Sequence, residues 1–129
     1  MARSPSAQPT DVELQILNVL WEIGPATVRQ VHDALTATKE TDYATTVKML
    51  RVMLEKKLVS RNDKVRPLVY RAAATQERTQ KNMLGDLVDR LYAGSAKTLV
   101  MHALSRRKAS ANDIAEIRRM LDEMEGGEQ

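Results

Sequence analysis

The chain has 129 residues, a formal net charge of +3 and a sequence pI near 9.3, so it can bury one sizeable core or one small domain with an appendage. With no cysteine it can form no disulfide, thiolate metal site or cysteine nucleophile. No apolar run approaches the roughly 20 residues that span a bilayer, and residues 1–9 lack the apolar core of a signal peptide, so a cytoplasmic protein is expected.

Residues 1–9 are small, polar and proline-containing, and read as a disordered arm. Thr10-Asp11-Val12-Glu13 fits a capping box, with Thr10 as cap and Glu13 reaching back. The helix it opens runs to about Ile23 and turns Val12 or Leu14, Ile16, Leu17, Leu20, Trp21 and Ile23 inward. Gly24-Pro25 ends it, since glycine takes a left-handed cap and proline cannot continue. Thr27 and Gln30 form a second box, opening a helix to about Ala37 with Val28, Val31 and Leu35 inward. His32 lies in this helix without a companion ligand and reads as a surface residue.

Thr38 to Asp42 is a polar turn. The stretch from Tyr43 to Val59 follows, with Thr41 or Asp42 able to cap it. Val47, Leu50, Met53 (or Leu54) and Leu58 recur at helical steps and predict its buried face. Tyr43, Thr45, Lys48, Arg51 and Val52 fall on the other face, where hydroxyls and cations suit phosphates and base edges. Helix, short turn and helix is the unit that sets its second helix in a major groove.

Beyond Val59 the period changes. Residues 58–61 and 68–71 read as two short strands joined by a loop at 62–66, with Pro67 at a strand start or edge. A hairpin after a helix–turn–helix makes a wing, and Arg61, Lys64 and Arg66 lie on or beside its tip. Nine Lys/Arg against four Asp/Glu between Lys39 and Arg71 leave +5 there and −2 elsewhere, a distribution suited to a polyanionic partner.

From Thr75 the pattern is helical. One helix runs to Tyr92 and is closed by Gly94. A second is capped by Ser95, a third starts at Ser110, and 125–129 is a frayed tail. Met83, Leu84, Leu87, Val88, Leu91, Leu99, Val100, Leu104, Ile114, Ile117 and Leu121 form their apolar stripes. Roughly 45 residues make a small core, so these stripes need a partner surface, and a second copy of the chain closes a two-fold interface most simply. Gly85 within the first of these helices suggests a close helix approach. His102 has no companion ligand. No Gly-rich phosphate loop, no HExxH and no interpretable Ser/His/acid set is present, which points away from an enzyme and implies no cofactor and no metal. Four aromatic residues, none of them Phe, are too few for single-strand stacking platforms.

The residues alone leave open a dimeric reader of duplex DNA, acting as repressor or activator, and a protein-interaction adaptor whose charged face is solvated. Several segments in order carry a resemblance: Val19-Leu20-Trp21-Glu22, 27–32, 43–50, Lys56-Lys57-Leu58-Val59, Val69-Tyr70-Arg71, 93–100 and 114–121. Together they resemble the penicillinase-repressor (BlaI/MecI) family of transcription regulators from Thr10 to Glu125. The resemblance implies a mainly α fold with a β-hairpin wing: a winged-helix domain at 10–74, a three-helix dimerisation domain at 75–125 and a tail at 126–129. It implies a homodimer repressing from a palindromic double-stranded DNA operator. Carried over by position, the recognition-helix contacts are Tyr43, Ala44, Thr45, Thr46, Lys48, Met49 and Arg51, within a helix at about 43–57, and the wing contacts are Arg61, Lys64 and Arg66. In the best-known members a membrane sensor peptidase triggers cleavage of an Asn-Phe bond. His102-Ala103 stands at that position, so the chain lacks the motif for that partner. The cysteine pairs of a copper-responsive branch are absent as well.

Overall fold

The computed structural model describes residues 8–127. Residues 1–7, including most of the expected arm, and residues 128–129 lie outside the described residues. The elements in chain order are α1 (Asp11–Ile23), β1 (Ala26–Thr27), α2 (Val28–Thr36), α3 (Tyr43–Glu55), β2 (Val59–Asn62), β3 (Val69–Ala72), α4 (Gln76–Leu91), α5 (Ala96–Arg106) and α6 (Ala111–Gly127). Two compact units divide the chain, the first ending at Leu84 and the second starting at Gly85. The change falls inside α4.

In the first unit both expected capping boxes are present. Thr10 Oγ1 accepts from the Glu13 N–H while Glu13 Oε1 accepts from the Thr10 N–H, and Thr27 and Gln30 repeat the exchange. Each satisfies two helix-end groups that burial would otherwise leave unpaired. Gly24 closes α1 at φ +83° and ψ −169°. This is not the expected left-handed cap but an extended conformation at positive φ, a region open essentially to glycine alone. It turns the chain straight into β1. That strand, too short to show a period, escapes sequence analysis. It pairs antiparallel with β3, Ala26 facing Tyr70, and β3 pairs in turn with β2, Arg61 facing Tyr70 and Val59 facing Ala72. The sheet order is β1-β3-β2. Three helices with this small sheet and its hairpin are a winged helix.

The core joins Ile16, Leu17 and Leu20 of α1, Val31 and Leu35 of α2, Leu50 and Met53 of α3, and Ala26, Val59 and Tyr70 of the sheet. Trp21 is half-buried against it, and its Nε1–H donates to the Ala74 carbonyl at 3.0 Å. Ile23 and Val12, expected inside, are exposed. Among the described residues three polar side chains are buried: Glu13, His32 and Thr46. Burying a polar group without a partner costs roughly 1–3 kcal/mol. Among the described residues no buried side-chain nitrogen or oxygen lacks a hydrogen bond.

Glu13 shows how this is done. Its Oε1 takes the Thr10 N–H at 2.9 Å and the Lys56 ammonium at 2.7 Å, tying the start of α1 to the end of α3. Burial raises the pKa of this carboxyl, but the hydrogen bonds and charge of Lys56 and the bonds to Thr10 outweigh it, leaving a net lowering from 4.5.

In the second unit Ser95 caps α5 by accepting the Thr98 N–H, and Ser110 accepts the Asp113 N–H at the start of α6. Before α5 the chain turns through Ala93 and Gly94 at positive φ. The last helix reaches Gly127, so residues 125–127 are helical rather than a frayed tail. Across α4, α5 and α6 no residue is buried. A Cβ on Gly85 would meet nothing within 4 Å, so among the described residues the expected close helix approach is not made there.

Candidate nucleic-acid interface

The interface is built on α3. Its buried side is Thr46, Leu50 and Met53, so Leu50 and Met53 lie inside as expected, while Thr46 is buried where Val47 was expected and Val47 is half-buried. At about 100° per residue the opposite stripe holds Ala44, Lys48 and Arg51, with Thr45 and Tyr43 on its two flanks. All five are exposed. The helix starts without its expected side-chain cap. Asp42 takes the extended cap conformation, but its carboxylate makes no cap bond, and its carbonyl instead receives the Thr46 N–H at 3.1 Å.

Thr46 is corrected from a base-edge contact to a core residue. It is 1% exposed, and its Oγ1 lies 2.9 Å from Nδ1 of His32. His32 is corrected with it. It is not a surface histidine but a buried ring, 9% exposed, on the seam between α2 and α3. Two polar side chains thus satisfy each other across the helix–turn–helix. Met49 is half-buried and packs against the core, so it offers the solvent face only part of its side chain.

Tyr43 opens α3 with its ring held from two sides. The His32 ring meets it edge-on at 5.3 Å between centroids and 81° between planes. The Arg29 guanidinium lies over its face, 4.2 Å from the centroid. Nothing local in the sequence marks Arg29, because stacking between residues fourteen apart leaves no short-range pattern.

The wing holds its shape through its own polar groups. Asn62 Oδ1 accepts the Lys64 N–H at 3.0 Å. Arg66 donates through Nη1 to the Asp63 and Val65 carbonyls at 2.7 and 3.0 Å, leaving its other N–H groups free to bind elsewhere. Arg61 sits in β2 rather than at the tip. It pairs with the Asp63 carboxylate and lies 6.0 Å from the centroid of the Tyr70 ring. Its hydrogen bond to Asp63, then that to Tyr70, raises the guanidinium pKa further, so it is charged at any pH the protein meets. Lys64 is exposed and has no ion-pair partner among the described residues. The arrangement offers exposed cations on α3 and the wing, with Ala44 in line with Lys48 and Arg51 and Thr45 on the flank.

The chain matches the model of the penicillinase repressor family over residues 9–123. The chain belongs to the penicillinase-repressor family. It is also similar to the transcriptional regulator BlaI from two strains of Mycobacterium tuberculosis. Each is 32% identical over 124 residues, covering 91% of this chain and 85% of the relative. A penicillinase repressor is a transcriptional repressor, and such regulators bind DNA and are not enzymes.

Among the described residues no group of three or more His, Cys, Asp or Glu is placed to hold a metal ion, and no helix is long and apolar enough to cross a membrane. His102 lies within the second unit, its Nδ1 3.3 Å from the Tyr92 hydroxyl. The apolar residues expected to dimerise are all at least partly exposed. Met83 and Leu84 belong to the first unit, and Leu87, Val88, Leu91, Leu99, Val100, Leu104, Ile114, Ile117 and Leu121 to the second. Met101, Met120 and Met124, at 58–62% exposed, are further apolar side chains open to solvent in the second unit.

Proposed function

We propose that the protein is a homodimeric repressor that reads a palindromic operator through α3 and its wing. The observation that carries this reading is the α3 stripe of Ala44, Lys48 and Arg51, held outward by a fully satisfied core. An α-helix with side chains is about 10–12 Å across, close to the width of the B-DNA major groove of about 12 Å. Lys48 and Arg51 then face base edges, and each good contact is worth about 1–3 kcal/mol of discrimination. Thr45 reads at the flank, and Lys64 and Arg66 of the wing meet phosphates. Phosphate contacts supply affinity that falls steeply with salt.

Dimerisation rests on the second unit. Leu87, Leu91, Val100, Met101, Leu104, Met120, Leu121 and Met124 are all at least 40% exposed, an apolar surface well beyond scattered single residues. A second copy covers it with a closed two-fold interface, which in turn spaces two α3 helices by one or more helical turns of DNA.

Selection of bound duplexes from a random pool at two salt concentrations tests this reading. The expected result is a palindromic consensus that survives the higher salt. Arg51→Ala is then expected to weaken binding to that consensus by about tenfold or more, and to random duplex by much less. Enrichment of no sequence, with all binding lost as salt rises, rejects a sequence-specific reader and favours a protein-interaction adaptor.

A further inference from the structure

We propose that Arg29 of α2 is a DNA-backbone contact, presented by the Tyr43 ring on which it stacks. The inference rests on the DNA-binding reading and extends the interface to a helix outside α3 and the wing.

Arg29 takes its place at the interface from Tyr43. Down the axis of α3, the centre of the exposed stripe lies between Arg51 and Lys48, and Tyr43 falls on the edge facing α2. A helix that nearly fills the groove directs its central stripe at base edges and its flanks at the groove walls. Those walls are phosphates. A cation on that flank therefore meets backbone and carries no sequence information of its own.

Arg29 has the chemistry for this place. Its side chain is exposed and has no carboxylate partner among the described residues. Stacking on an aromatic face uses the flat surface of the guanidinium and leaves its in-plane N–H groups free. Those groups can grip a phosphate with two parallel hydrogen bonds. The platform is itself fixed, since the His32 ring abuts Tyr43 edge-on and His32 is held by Thr46 in the core. A long flexible side chain is thereby ordered before DNA arrives, which reduces the entropy lost on binding. Arg29 is the contacting residue in this scheme, and Tyr43 and His32 are positioning residues.

The test measures affinity of the full chain for its selected duplex and for a random duplex across a salt series. Arg29→Ala is expected to weaken both by a similar factor, about tenfold at low salt. The slope of log affinity against log salt should become shallower by about 0.9 for each protomer that loses one phosphate contact. Arg29→Lys restores the slope but only part of the affinity, because ammonium keeps the charge without the planar stack. Tyr43→Leu reproduces much of the Arg29→Ala loss, Tyr43→Phe does not, and the Arg29→Ala and Tyr43→Leu losses are less than additive. Unchanged affinity and slope in Arg29→Ala, with the unsubstituted protein binding normally, overturn the inference and leave the DNA-binding reading standing. A larger loss on the selected duplex than on the random one also overturns it, by making Arg29 a base reader. An unsubstituted protein that binds neither duplex overturns both.

Discussion

Nδ1 of His32 on α2 lies 2.9 Å from Oγ1 of Thr46 on α3, and both side chains are buried. This contact joins the two helices of the helix–turn–helix across their seam, beside the core packing of Val31, Leu35, Leu50 and Met53. It also takes Thr46 out of the groove-facing surface, although Thr45 beside it remains exposed.

Thr46→Val keeps the shape of the side chain and removes its hydroxyl, leaving the His32 nitrogen without its partner. The expected cost is about 1–2 kcal/mol of stability, read as a lowered denaturation midpoint. Thr46→Ser, which keeps the hydroxyl, should lose less. A selected DNA consensus relaxed at a single base pair, with stability unchanged, would return Thr46 to the reading surface.

The Glu13–Lys56 pair makes stability depend on pH. The folded-state pKa of Glu13 is lowered from 4.5, so its contribution is complete above the unfolded value and is lost as pH falls through the lower folded one. Glu13→Gln should cost about 1–3 kcal/mol at neutral pH, and the gap to the unsubstituted protein should close as pH falls below the unfolded value of 4.5 and through the lower folded one. Denaturant titrations at several pH values check this. A gap that stays constant over that range would show that the carboxylate charge plays no part.

In the wing, Asp63 occupies Arg61 in the way a phosphate would. Asp63→Asn frees the guanidinium and removes an anion from the loop proposed to meet DNA. Duplex affinity is expected to rise about two- to fivefold, with a steeper salt dependence. Weaker binding would mean that the carboxylate orients Arg61 for DNA rather than competing with it.

For the second unit, Leu91→Glu and Leu121→Glu place a charge at side chains 70% and 54% exposed in the single chain. Neither is buried within the chain, so helicity should hold while the sedimenting mass falls from twice the 14.5 kDa protomer to one copy. Operator affinity should fall with it, since one half-site no longer recruits the other. A dimer that persists through both substitutions would place the interface elsewhere.

Local chemistry made much of this protein readable before any coordinates. Both capping boxes, the glycine at the end of α1, the serine caps of α5 and α6 and the two wing strands follow from residues within a few positions of one another, as does the cationic bias of 39–71. Helical period placed Leu50 and Met53 inside because apolar residues at that spacing have one way to leave water together. Tertiary structure decided the rest. A two-residue strand exists only through its pairing with β3, and neither its length nor its composition announces it. Thr46 and His32 look like surface residues in sequence, because polarity predicts exposure until a partner fourteen positions away satisfies both. Arg29 belongs to the candidate interface only because folding puts the Tyr43 ring beneath it. The dividing line is the range of the interaction. Contacts made within one helical turn are encoded locally, whereas a hydrogen bond or a stack between two helices comes into being with the packing that joins them.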